Sequence, residues 1–335
     1  MGRNMFKWVD EMIASKDKKA MPVLSFPSIQ RLNVTVEEIV KNSDKQAEGI
    51  KIIADSFDTA AAVSYMDLSV EAEAFGSTIR YSRDEVPTVI GSIISSMDEA
   101  EALKVPEVGA GRTGSNVEAM KKARAMVTDR PLFTGIIGPF SLAGRLMDVS
   151  EAMIYCYDEP EMVHEVLGKV TEFLISYCRA FKDTGVDGVV VAEPLAGLLS
   201  GDLAEEFSAE YVKKLVSAVQ DEEFLIVYHN CGNSTVRTID TIINNGCRMF
   251  HFGNAIDMKE MMSHIPADCI AMGNVDPATE FRNGTPESVY AATEKLLKDC
   301  GGYDNFVISS GCDIPPMSPW ENIEAFFKAV KDHKG

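Results

Sequence analysis

The chain has 335 residues and 36.7 kDa, 46% hydrophobic and 25% charged, the proportions of a soluble globular protein long enough for a large core. Its formal net charge of −19 argues against a nucleic-acid partner, since neutralising phosphates takes clustered lysine and arginine. No apolar run approaches the roughly 20 residues of a membrane helix, and seven cysteines without tight disulfide spacing suit a reducing, cytoplasmic setting.

In chain order, Met1-Gly2-Arg3-Asn4 leads into a short helix over 6–15 rather than a signal peptide, and residues 21–26 read as a first strand running into a loop with Arg31. Thr35-Val36-Glu37-Glu38 matches a capping box and opens a helix expected to reach Phe57. Residues 60–66 form the second apolar strand, ending at Asp67. From 68 to 81 the apolar and acidic residues alternate, which predicts an extended excursion or hairpin with Glu71 and Glu73 on a solvated face. The glycines of 109–114 lack the strand-then-helix setting of a dinucleotide loop and read as a turn, with Ser115 capping the next helix.

From Pro131 onward strands and helices alternate regularly. Strands are centred on Phe133, Val190, Ile226, Phe250, Ile270 and Val307, with helices over 160–182, 203–219, 286–297 and 319–331 among those between and after them. With the strands at Val23 and Val63 this makes eight strand-helix units. The expected fold is a single (β/α)8 barrel over residues 1–335 with N-terminal helical and hairpin additions, a doubly wound sheet being the alternative.

The chemistry centres on Tyr228-His229-Asn230-Cys231-Gly232 and Ser309-Ser310-Gly311-Cys312-Asp313. His229 and Cys231 are two positions apart at a strand end, so both side chains point to one face, and Cys312 joins from a later loop. One imidazole and two thiolates with room for a fourth ligand form a donor set that suits zinc. Cys156, Cys178, Cys247, Cys269 and Cys300 lie in apolar patterns or at a helix end and read as core. Asp67, Glu193, His229, Cys231, Asn254, Asn274, Asp276 and Cys312 all fall at or just past C-terminal strand ends, the rim where barrel active sites form. Tyr65, Met66, Leu195, Met272 and Met317 supply an apolar wall.

The segments 66–76, 137–143, 229–233, 273–277 and 311–314 resemble the uroporphyrinogen decarboxylase superfamily, and within it the corrinoid-linked zinc methyltransferases that include methylcobamide:coenzyme M methyltransferases. The resemblance runs from the first strand to the C-terminus and implies His229, Cys231 and Cys312 as zinc ligands. True decarboxylases of the superfamily lack the His-x-Cys pair, carry histidine at the place of Cys312, and have an arginine-rich segment where this chain has Arg31 alone. Gly253 stands where related methyltransferases often supply a glutamate, so the fourth zinc position is expected to be exchangeable, with water, Glu193 or His251 as other occupants.

On this reading Asp67 and Glu193 serve catalysis or line the pocket, and Asn254, Asn274 and Asp276 face the cofactor. Zinc and a corrinoid are the implied cofactors. No Asp-x-His-x-x-Gly cobalamin motif occurs, so the corrinoid is expected on a separate partner protein docking over the mouth. The small substrate is a thiol acceptor such as coenzyme M or, for transfer in the other direction, a methyl ether. A cofactor-independent decarboxylase and a non-catalytic docking module for the corrinoid protein are the competing readings.

Overall fold

The computed structural model describes residues 2–17 and 19–333. In chain order its strands are β1 (Ala62–Val63), β2 (Thr78–Arg80), β3 (Thr88–Ile90), β4 (Leu132–Ile137), β5 (Gly188–Ala192), β6 (Leu225–Asn230), β7 (Met249–Phe252), β8 (Ile270–Val275) and β9 (Phe306–Ser310). Seven of them pair in parallel in the order β1-β4-β5-β6-β7-β8-β9, while β2 and β3 form a separate antiparallel hairpin. Helices connect the parallel strands, as parallel pairing requires.

The expected first strand joins no ladder, yet it closes the cylinder. Met21 N donates to the Ile308 carbonyl on β9 (3.0 Å), and Ser25 Oγ donates to the Val63 carbonyl on β1 (2.6 Å). A regular ladder fails for a local reason: Pro22 has no N–H, and the Val23 amide is taken by Ser310 Oγ at 3.2 Å.

Strand parity sorts the side chains. Val63, Phe133, Val190, Ala192, Leu225, Val227, Met249, Ile270, Met272 and Val307 meet inside the cylinder, whereas their neighbours Val189, Val191, Ile226, Tyr228, Phe250, Ala271 and Ile308 pack outward against the helices. The helix Met5–Ala14, capped by Asn4, stoppers the N-terminal end with Met5 and Val9 against the inner cluster and Trp8 near Phe133. Access is thereby left to the opposite end, where the strands stop.

Three local expectations need correction. The stretch after Asp67 is not extended: Val70–Ala74 is a helical turn, and the hairpin begins only at Thr78. Its alternation mimics a strand, but Glu71 is buried and Glu73 is paired with Arg112 at 2.6 Å. The helix opened by Thr35 stops at Val40, and Asn42 caps a second one, Ser43–Ser56. The helix expected behind Ser115 starts at Thr113, whose hydroxyl closes the glycine turn by accepting from Gly109 N at 2.9 Å. Among the described residues no helix is long and apolar enough to cross a membrane.

Candidate metal centre

His229 continues the inward parity of Leu225 and Val227, so β6 itself aims the imidazole into the cylinder near its open end. Cys231 follows as the chain leaves the strand, and Cys312 arrives two residues past the end of β9. One donor atom from each of the three lies within 4.8 Å of the other two, and His229 Nε2 is 3.6 Å from Cys312 Sγ. Gly253 makes room for this approach: a Cβ there would stand 2.5 Å from both Cα and Cβ of Cys231, so no side chain, a glutamate included, fits at that position.

Contact with the Cys312 thiol holds the Cys231 thiol below the ordinary range, at about 4, while the same contact and burial push Cys312 well up. A site that already favours one thiolate beside an imidazole has the donor chemistry of zinc: soft sulfur and borderline nitrogen in reach of one point. Among the described residues no fourth histidine, cysteine or carboxylate joins the three.

The other rim residues are engaged elsewhere. Glu193 shares parity with Val189 and Val191, so it faces the helices rather than the cylinder. There it caps the helix Pro139–Met147 from the neighbouring strand, accepting from Phe140 N (2.8 Å), Ser141 N (2.9 Å) and Ser141 Oγ (2.7 Å), because Gly138 at the cap position has no side chain. Burial pushes its pKa to about 7 against these hydrogen bonds. Asp276 caps the turn that begins at Pro277 through Ala278 N and Thr279 N (both 2.8 Å) and accepts from Asn254. Asn274 donates to the carbonyls of Gly253 and Ile256. These three hold the loops after β7 and β8 against each other.

Asp67 is buried in an ion pair with Arg112 and also accepts from Ser69 N and Oγ. Arg112 further binds Ser69 Oγ (2.7 Å) and Glu73, and Glu73 accepts from Tyr81. The guanidinium was not foreseen from sequence, where its glycine-rich turn read as a connector; the signal was a cluster of three carboxylates, Asp67, Glu71 and Glu73, that needed a cation. His251 and Ser309 were legible by parity, two residues beyond Met249 and Val307 on the inner face; His251 lies beside His229, and Ser309 beside His251. Burial pushes His251 well below the ordinary histidine pKa. Asp313 accepts from Met66 N through one oxygen and keeps the other buried without a partner among the described residues.

A cleft of about 350 Å³ lies at the stoppered end, beside Trp8, Asp58, Arg130 and Val307. Lys19 pairs with Asp58 at 2.7 Å and Arg130 with Asp129 at 2.8 Å in its wall, and it contains neither imidazole nor thiol. His229, Cys231 and Cys312 lie at the other end.

Comparison with known proteins bears on this arrangement. The model of the uroporphyrinogen decarboxylase (URO-D) family matches residues 18–333. The methylcobamide:CoM methyltransferase MtbA of Methanosarcina acetivorans is 29% identical over 273 residues, 80% of this chain and 78% of that protein. A uroporphyrinogen decarboxylase of Synechococcus sp. is 28% identical over 260 residues, 72% of this chain and 70% of that one. Among solved structures, a methyltransferase from Methanosarcina mazei superposes with a TM-score of 0.85 at 24% identity, covering 98% of this chain and 99% of the other, so the α/β barrel fold is shared.

Proposed function

The chain belongs to the uroporphyrinogen decarboxylase family, and from that premise we propose that it is a zinc-dependent methyltransferase that moves a methyl group between a separate corrinoid protein and a small thiol such as coenzyme M. The observation that carries this reading is the convergence of His229, Cys231 and Cys312. The names of the methyltransferase relatives support the donor and acceptor, and the seven free cysteines support a reducing cytoplasm.

His229, Cys231 and Cys312 would hold the metal. Zinc bound there would supply the Lewis acidity that lets a thiol, of pKa about 8.5 when free, lose its proton near neutral pH. The protein's own part is to exclude water and fix direction. Met66 and Met272 line the inner face near the open end, and Gly253 lets the Cys231 backbone come close. Leu198 and Met317, exposed on the loops after β5 and β9, would meet the corrinoid protein over the mouth.

Sequence similarity to decarboxylases is of the same order as that to methyltransferases, so the site chemistry has to separate the two. Arg31, the lone arginine after the first extended segment, lies over the Trp320 ring at 4.4 Å, which leaves no arginine cluster there for a polycarboxylate. The test is to mix the chain with a methylated corrinoid protein and coenzyme M and follow the corrinoid absorbance, with methyl ethers as alternative donors to the demethylated corrinoid. The reading predicts thiol methylation that stops when a chelator strips the metal. Decarboxylation of a porphyrinogen by metal-free protein, without methyl transfer, would replace it.

A further inference from the structure

A histidine offers a metal only the ring nitrogen that carries no hydrogen, so the tautomer of His229 matters. Its Nε2 faces Cys312, while its Nδ1 lies 2.6 Å from Nδ1 of His251. Two ring nitrogens at that separation have one hydrogen between them, and the surrounding bonds decide which ring owns it. The Ser309 hydroxyl donates to the Met21 carbonyl at 2.8 Å, and a carbonyl can only accept. Ser309 Oγ therefore has only lone pairs left for His251 Nε2, 2.8 Å away, and that nitrogen carries the hydrogen. The His251 carbonyl, which can only accept, lies 3.2 Å from His229 Nδ1, so that nitrogen carries the hydrogen between the rings and His251 Nδ1 accepts it.

We propose that Met21, Ser309 and His251 form a relay that fixes the tautomer of His229, leaving Nε2 bare toward Cys312 before any metal arrives. The proposal rests on the metal reading above and deepens it. It makes His251 and Ser309 positioning residues and removes His251 as a candidate fourth ligand, because both its nitrogens are committed. Outer partners of ligating histidines set ring orientation and basicity, and their loss typically costs about 10- to 100-fold in metal affinity.

The test has two arms. Nitrogen-15 NMR of histidine-labelled, metal-free wild type should show His229 protonated on Nδ1 and bare on Nε2. Zinc titration against a chromophoric chelator should give a Kd weaker by about 10- to 100-fold for Ser309→Ala and His251→Leu. His251→Asn, whose amide oxygen can stand where Nδ1 stood, should bind close to wild type. The relay is overturned if His229 is protonated on Nε2, if Ser309→Ala and His251→Leu bind zinc as tightly as wild type, or if His251→Asn loses as much as the leucine variant. Should a variant fail to fold, the wild-type spectrum decides. A wild type that binds no zinc sinks the metal reading, while the tautomer measurement still judges the relay.

Discussion

Glu71→Gln removes an ionisable group whose charge the fold has little means to solvate. Glu71 is 1% exposed, with one carboxyl oxygen accepting from Ile137 N at 3.2 Å and the other without a partner among the described residues. Burial, only partly offset by backbone amides and Arg112 and reinforced by Asp67, pushes its pKa from 4.5 up to about 8. The folded value lies above the unfolded one, so this group's contribution to stability is fully present below pH 4.5 and is lost as the pH rises through 8. At about 1.36 kcal/mol per pH unit, the loss between pH 5 and pH 8 amounts to about 3 kcal/mol. Glutamine keeps the acceptor for Ile137 and cannot ionise. Urea denaturation of both proteins at the two pH values should therefore find the variant's pH dependence shallower by about that amount. Equal pH dependence of wild type and variant would refute the burial argument.

Further expectations follow from the same geometry. Arg112→Met strands Asp67 and Glu73 without their counter-charge and should cost about 3–5 kcal/mol, read as a lowered denaturation midpoint that Asp67→Asn partly restores in the double variant. Glu193→Ala leaves Phe140 N, Ser141 N and Ser141 Oγ without their acceptor and should destabilise by about 2–4 kcal/mol. Its zinc content should stay at the wild-type level, and loss of zinc would restore Glu193 as a ligand.

What the sequence disclosed depended on how local the determinant was. Seven of eight strands and the long helices Pro160–Asp183, Pro286–Cys300 and Trp320–Asp332 were readable because each carries its own periodicity and end signals, such as Thr285 before Pro286. The failure at 21–26 was also local in origin, since Pro22 prevents a ladder even where the segment lies in a strand's place. The convergence of His229, Cys231 and Cys312 was readable because two of them share a strand end. Glu193 was misplaced for want of a parity count: it lies one residue beyond the inward-facing Ala192 and so turns toward the helices. Arg112 and the Ser309–His251 contact join residues distant in the chain, and only the folded barrel brings them together. The acidic stretch 67–73 misled because buried and paired carboxylates have the same letters as solvated ones.

On the proposed function, His229, Cys231 and Cys312 hold one zinc ion at the open end of the barrel. Elemental analysis of wild type and Cys312→Ala, purified side by side and equilibrated with zinc, tests it most directly. About one zinc per wild-type chain is expected, and close to none in a folded Cys312→Ala variant. Equal zinc in the two proteins, or none in either, would contradict it.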